Sequence, residues 1–235
     1  MKTIIIQGAI LEEIDPFLKH YNITKTENIH GFDFHIAEHN DKRIIISLTN
    51  VGITNATEST VVAIYTYNPD VIINQGTAGG HLRSMKIGDI VIGEKATYMN
   101  KFKTPAKKEG EGSNPLEWSL PSKGCYSVEG TPRIVELLRK KLTSPEFHFG
   151  VLGSGDMFSR EMDRINYLRS IFSELSEDME TAATYKVCHD FEVEHIGIRV
   201  ISNNELCEGL GTMRENLPFI QPKLIKTVID LVDEL

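Results

Sequence analysis

Apolar residues fall into short blocks along this chain, and the blocks alternate between two patterns. Thr3 to Ile6 is a continuous apolar run closed by Gln7-Gly8-Ala9, which predicts a buried strand. A helix follows from about Ile10, with Leu11, Ile14 and Leu18 on one face and Pro16 tolerated early in it. Phe32 to Glu38 and Arg43 to Leu48 predict a strand pair turning through Glu38-His39-Asn40-Asp41. A helix from about Ala56 carries Val61, Val62, Ile64 and Tyr65 and stops at Asn68-Pro69-Asp70. Val71 to Asn74 and Ile87 to Ile92 predict two more strands, separated by the Gly-rich Gln75-Gly76-Thr77-Ala78-Gly79-Gly80. From Met99 to Lys123 the chain turns polar, with Trp118 inside, and predicts a long loop or flap. Then come a helix over Pro132 to Leu142, a strand over Phe147 to Leu152 and a helix over about Glu161 to Ile171. After an acidic stretch, a helix from near Thr181 runs through about Phe191, and His195 to Ile201 predicts a last strand. Glu208 to Asn216 is polar, and a closing helix starts near Leu217.

Strands alternating with helices predict an α/β fold: three layers, α/β/α, around a mostly parallel, mixed central sheet. The length, 235 residues, suits one domain over the whole of 1–235. In such sheets ligands bind beyond the carboxyl ends of the strands. Glu13, Thr77, Phe158, Asp178 to Glu180 and Asn203 mostly fall just after a predicted strand or at the helix start beyond one.

Composition narrows the chemistry. A net charge of −8 argues against general affinity for nucleic acid or an anionic membrane. The three cysteines, Cys125, Cys188 and Cys207, are scattered, and none of the eight histidines has metal-ligand spacing. Neither a disulfide frame, a metal nor a cofactor is called for, and a reducing, cytoplasmic setting is expected. Met1 to Ile6 is too short for a signal peptide.

The stretch Ser176-Glu177-Asp178-Met179-Glu180-Thr181-Ala182-Ala183 supports two readings. It is either an N-terminal cap beside a solvated acidic turn or a sugar clamp, in which a carboxylate accepts from vicinal hydroxyls while Met179 lies on the furanose. Each other position has its plain alternative too. Glu13 fits a solvated helix residue, Thr77 to Gly80 a tight turn, Phe158 a core ring and Asn203 a turn cap.

Six blocks in order decide among these. They are Gly8-Ala9-Ile10-Leu11-Glu12-Glu13, Ile73 to Gly80, Gly88-Asp89-Ile90-Val91, Ser154-Gly155-Asp156-Met157-Phe158, Asp178 to Ala183 and Arg199-Val200-Ile201-Ser202-Asn203. Together they resemble the 5′-methylthioadenosine/S-adenosylhomocysteine nucleosidases of the purine nucleoside phosphorylase superfamily, across nearly the whole chain. The resemblance implies a nucleoside phosphorylase-like fold and hydrolysis of a purine N-glycosidic bond in nucleoside catabolism and methionine salvage. It implies that Glu13 is the base that activates water, and that Met179 and Glu180 hold the ribose, with Glu180 on the 2′ and 3′ hydroxyls. Asp178 stands where Glu is usual. Thr77, where the family has Ser, lies with Ala78 and Gly79 near the water and sugar. Phe158 stacks on the purine, the Ser159 backbone meets the base edge, Ser202 and Asn203 sit at N7, and Phe219 lines the 5′ pocket. The resemblance also implies a homodimer, with Lys101 to Pro115 as the candidate flap at the shared edge.

One departure bears on mechanism. The nucleosidases carry Asp where this chain has Asn203, and an amide cannot protonate N7. Its oxygen can take N7–H while its NH₂ meets O6, which suits a 6-oxopurine. The function expected is therefore a purine nucleoside N-ribohydrolase of the methylthioadenosine/adenosylhomocysteine type. The alternatives are a hydrolase or phosphorylase for inosine- or futalosine-like nucleosides, and a non-catalytic nucleoside-binding homologue. Glu205 is a candidate substitute acid. Glu12 and Glu13 beside Gly8, with no Arg before Arg43, disfavour a phosphate site and favour water as the nucleophile.

Overall fold

Isoleucine triplets organise the centre of the molecule. The computed structural model describes residues 1–120, 127–207 and 212–235. In order they form β1 (Lys2–Gly8), α1 (Leu11–His20), β2 (Ile23–Ile29), β3 (Phe32–His39), β4 (Lys42–Leu48) and α2 (Ile53–Tyr67). Next come β5 (Val71–Gly80), β6 (Ile90–Tyr98), β7 (Ser127–Glu129), α3 (Pro132–Lys141) and β8 (Phe147–Ser154). The last are α4 (Met162–Phe172), β9 (Glu174–Asp178), α5 (Thr181–Asp190), β10 (Glu194–Asn203) and α6 (Met213–Glu234).

Side chains alternate faces along a strand, so a run of three isoleucines must find two apolar layers. Ile4 and Ile6 of β1, Ile44 and Ile46 of β4, and Ile73 of β5 pack against α1, α3 and α6. Ile5, Ile45 and Ile72 pack on the other face, against α2 and α5. This is the expected three-layer α/β arrangement. Parallel pairing runs through β4, β1, β5 and β10 and through β6, β8 and β9. Antiparallel pairs add the β2–β3–β4 meander and join β10 to β6 and β5 to β9. Because β5 pairs both β10 and β9, the strands β5, β10, β6, β8 and β9 close on themselves, and the last residues of β5, β9 and β10 lie at one cavity.

Several elements differ from the sequence expectation, each for a local reason. The run Gly76 to Gly80 is not a turn; it continues β5, which pairs with β10 and β9 to its last residue. The stretch before Asp178 is a buried strand, not a solvated turn. β6 starts at Ile90 and runs on to Tyr98, through polar positions. α2 starts at Ile53, directly after Gly52 in a positive-φ conformation (φ 102°). Leu11 does not share the buried face of Ile14 and is 59% exposed. Pro16 lies in the sixth position of α1, past the first turn. It cannot donate to the Glu12 carbonyl, and the Gln221 side chain from α6 donates there instead. Lys101 to Pro115 carries only an isolated bridge from Lys103 to Ser119 and, at Pro115, the start of a 3-10 turn over Pro115–Glu117. The end of the expected loop (121–123), Cys125, and part of the polar stretch before α6 (208–211) lie outside the described residues.

Candidate active site

The loops after β1, β4, β8 and β9 and the ends of β5, β9 and β10 meet over one cavity. Its walls include Ala9, Ile10, Glu13, Val51, Thr77, Ala78, Gly79, Met157, Phe158, Glu177 to Glu180, Ser202, Asn203 and Met213.

Glu13 is buried, although it sits in the first turn of α1. Its Oε1 accepts from the Thr77 N–H (2.8 Å) and hydroxyl (3.1 Å), and its Oε2 from the Ala9 N–H (2.9 Å). The carboxylate thus ties β1, α1 and β5 together at the cavity. It lies directly on Gly76, where a Cβ would stand 2.6 Å from Oε1. The glycine is there for that approach.

Across the cavity, three charged side chains converge in the interior. Arg199 of β10 is buried, with its Nε 3.1 Å from Asp178 Oδ2 and Nη2 3.7 Å from Glu180 Oε2; Nη2 also donates to Asn74. Asp178 is saturated by the protein. Its Oδ1 accepts from the Ser154 hydroxyl (2.7 Å) and the Glu180 and Thr181 N–H groups (both 2.9 Å), and its Oδ2 from the Thr181 hydroxyl (2.6 Å). Burial pushes its carboxyl up, but Arg199 and these donors outweigh that and hold it below its ordinary range. Asp178 thus accepts from the first residue of α5, and Glu180 faces the cavity. Glu180 accepts from the Gly52 N–H (3.0 Å) and, more weakly, the Met179 N–H (3.3 Å). Burial pushes its carboxyl up to about 7; Arg199 and the Gly52 N–H oppose this, while Asp178 and Glu13 add to it.

The remaining wall is apolar and amide-lined. Phe158 is 55% exposed at the rim, not a core ring. The Asn203 side chain lies over Gly79, where a Cβ would stand 3.3 Å from Nδ2. Its Oδ1 accepts from the Ser202 hydroxyl (3.0 Å), and the NH₂ is the amide group nearer Gly79 in the cavity wall.

Three expected residues take other positions. The Ser159 N–H does not face the cavity as a free donor; it donates to Glu177 Oε2 (2.8 Å), and the Ser159 hydroxyl donates to Oε1 (2.9 Å). Phe219 is 83% exposed on α6 and lies outside the cavity wall, where Met213 of the same helix appears. Glu205 pairs with Arg160 (3.3 Å) and is not in the wall. Glu177, Arg199 and Gly52 carry the site without having been singled out. Their partners are distant in the chain, and only the acidic stretch hinted at Glu177. Among the described residues no cluster of three or more His, Cys, Asp or Glu side chains is arranged to hold a metal ion.

Residues 3–235 match the family model of the phosphorylase superfamily. The chain belongs to that superfamily. Within it, a 5′-methylthioadenosine/S-adenosylhomocysteine nucleosidase of Bacillus subtilis is 30% identical over 198 residues, 83% of each chain. Two solved structures of Helicobacter pylori proteins share the superfamily fold over 100% of this chain. One is a 5′-methylthioadenosine/S-adenosylhomocysteine nucleosidase with butyl-thio-DADMe-Immucillin-A, at TM-score 0.84 and 24% identity over 99% of its own chain. The other is a futalosine hydrolase, at TM-score 0.84 and 23% identity over 98% of its chain.

Proposed function

We propose that this chain is a purine nucleoside N-ribohydrolase. It cleaves the N-glycosidic bond of 5′-methylthioadenosine/S-adenosylhomocysteine-type nucleosides with water as nucleophile. One observation carries the choice of water. Glu13, Glu177, Asp178 and Glu180 all line the cavity, and no Lys or Arg stands in its wall among the described residues. The buried Arg199 is already matched to Asp178 and Glu180. A phosphate dianion would meet carboxylates with nothing to balance it, whereas water needs only an acceptor.

In this reading Glu13 takes the proton from water attacking the anomeric carbon. Thr77, donating its hydroxyl to Glu13, keeps an oxygen lone pair for that water or the sugar. Glu180 accepts from the 2′ and 3′ hydroxyls and offsets positive charge as the ribose becomes oxocarbenium-like. Met179, Ala78 and Gly79 border the sugar, and Phe158 offers a face to the purine. Asn203, whose NH₂ is the amide group nearer Gly79 in the cavity wall, donates to N7 as charge builds on the leaving base. The exposed Val51, Met157 and Phe158 support a homodimer that covers this rim. A cytoplasmic place in methionine salvage fits the substrate class.

The amide at Asn203 favours a second reading, in which the base is a 6-oxopurine and the substrate inosine- or futalosine-like. The test is purine release from methylthioadenosine and inosine by the parent and by Glu13→Gln. Release of a purine by the parent, lost in the variant, is expected. No release from either substrate would leave only nucleoside binding.

A further inference from the structure

Helix α2 begins without a cap of its own. Its N-cap is Gly52, which has no side chain and holds φ at 102°, and its first turn carries no acidic residue. The first backbone donors are met instead by two carboxylates from remote parts of the chain. The Gly52 N–H donates to Glu180 Oε1 (3.0 Å), 128 residues away, and the Ile53 N–H to Asp156 Oδ1 (2.8 Å), 103 residues away. A local Ser or Asp would cap such a helix as well. The remote pair adds position, because it ties two sides of the cavity to one helix end. Gly52 allows the approach, since a Cβ there would stand 2.8 Å from Asp156 Oδ1.

The two carboxylates serve the cavity differently. Glu180 lies in its wall and is the group given above to the ribose hydroxyls. Asp156 lies outside the wall, but it immediately precedes Met157 and Phe158, which are in it. The bond from Ile53 to Asp156 therefore joins the segment bearing the purine-stacking ring to the helix end that holds the ribose carboxylate. The same segment is fixed at two further points. The Gly155 N–H donates to the Asp178 carbonyl (3.1 Å), and the Ser159 N–H and hydroxyl are bound to Glu177. Those two pins run to β9, whereas the Asp156 pin runs to α2.

A nucleoside fixes the separation of its base and its ribose covalently. A site makes both sets of contacts at full strength only if its two halves already stand at the matching separation; otherwise ordering them costs affinity. We infer that Asp156 is a positioning residue: by holding the start of α2 it sets the spacing between Phe158 and Glu180, so that the two halves of a nucleoside are bound as one ligand. This rests on the purine nucleoside reading and adds to it a residue that touches no substrate.

The test compares binding of a whole nucleoside with binding of its free base, in the Glu13→Gln background so that the nucleoside survives the titration. Methylthioadenosine is paired with adenine and inosine with hypoxanthine, and the result is read on the pair that binds. Adding Asp156→Ala should weaken the nucleoside about tenfold and the free base less than about twofold, because only the nucleoside spans both halves. Adding Ile53→Pro removes the same hydrogen bond from the donor side, at the first helical position, where proline is tolerated, and should give the same split. Asp156→Asn keeps an acceptor oxygen and should restore the nucleoside to within about threefold. A helix cap with no part in positioning would lower the melting temperature and change both ligands equally or not at all; that result overturns the inference. So does an Asp156→Asn variant as weak as Asp156→Ala, or failure of both nucleosides to bind. If Asp156→Ala does not fold, the Ile53→Pro split decides. Absence of hydrolysis with Glu13 intact, alongside the expected split, would instead refute the hydrolase reading and leave this one standing.

Discussion

Two carboxylates divide the work at the residue scale, and each makes a separate prediction. Glu13 is held by three donors and touches no cation, so its role is to accept. Glu13→Gln should lower kcat by about 10²–10⁴-fold, the usual worth of a general base, while purine binding changes little. Single-turnover rates and base titration measure the two separately. Gly76→Ala should act on the same carboxylate through space alone. Its Cβ would stand 2.6 Å from Oε1, so activity falls while the fold persists, as thermal melting would report. Glu180 titrates near neutrality, pushed up to about 7 by burial. Ionised, it accepts from sugar hydroxyls, so kcat/KM should rise as pH rises through about 7, and Glu180→Gln should lack that limb. Stability moves the other way. The folded carboxyl holds its proton above the ordinary value of 4.5, so its contribution is full below about pH 4.5 and is lost as pH rises through about 7. Chemical denaturation across that window should show a smaller loss in Glu180→Gln than in the parent.

Elements were legible in the sequence wherever burial was two-sided or strictly periodic. Triplets such as Ile4-Ile5-Ile6 and Ile44-Ile45-Ile46 announce central strands, and both faces are filled as expected. Truncating the middle of one, Ile5→Ala, should cost about 2–5 kcal/mol in urea unfolding, because it opens a void between β1 and the α2–α5 layer. β2 was not legible, because most of its residues face solvent and its pattern is polar. β9 hides its burial under acidic residues whose partners, Ser159, His81 and Arg199, are remote in sequence. The glycines of β5 suggest a turn. They instead allow Glu13 and the side chains of Asn203 and Asn204 to approach the strand closely. The site was legible as a set of blocks in order, since Glu13, Thr77, Phe158, Met179, Glu180 and Asn203 do gather at one cavity. What the blocks could not convey was orientation. Ser159 turns its donor to Glu177, Asp178 is used up in accepting from the first residue of α5, Glu205 leaves with Arg160, and Phe219 points away.

For the molecule as a whole, closure of the strands around β5 brings the ends of β5, β9 and β10 to one mouth, and that mouth is acidic and bordered by the exposed Val51, Met157 and Phe158. The rim suggests a second copy as its cover. Sedimentation should give a dimer, and Val51→Asp at the rim should shift it toward monomer. The acidity bears on the central claim, that water and not phosphate attacks the sugar. The most direct measurement is the identity of the sugar product when the protein turns over a purine nucleoside with and without saturating phosphate. The account predicts free pentose, or its 5′-modified form, at a rate that phosphate does not raise. A pentose 1-phosphate, or a rate that depends on phosphate, would contradict it.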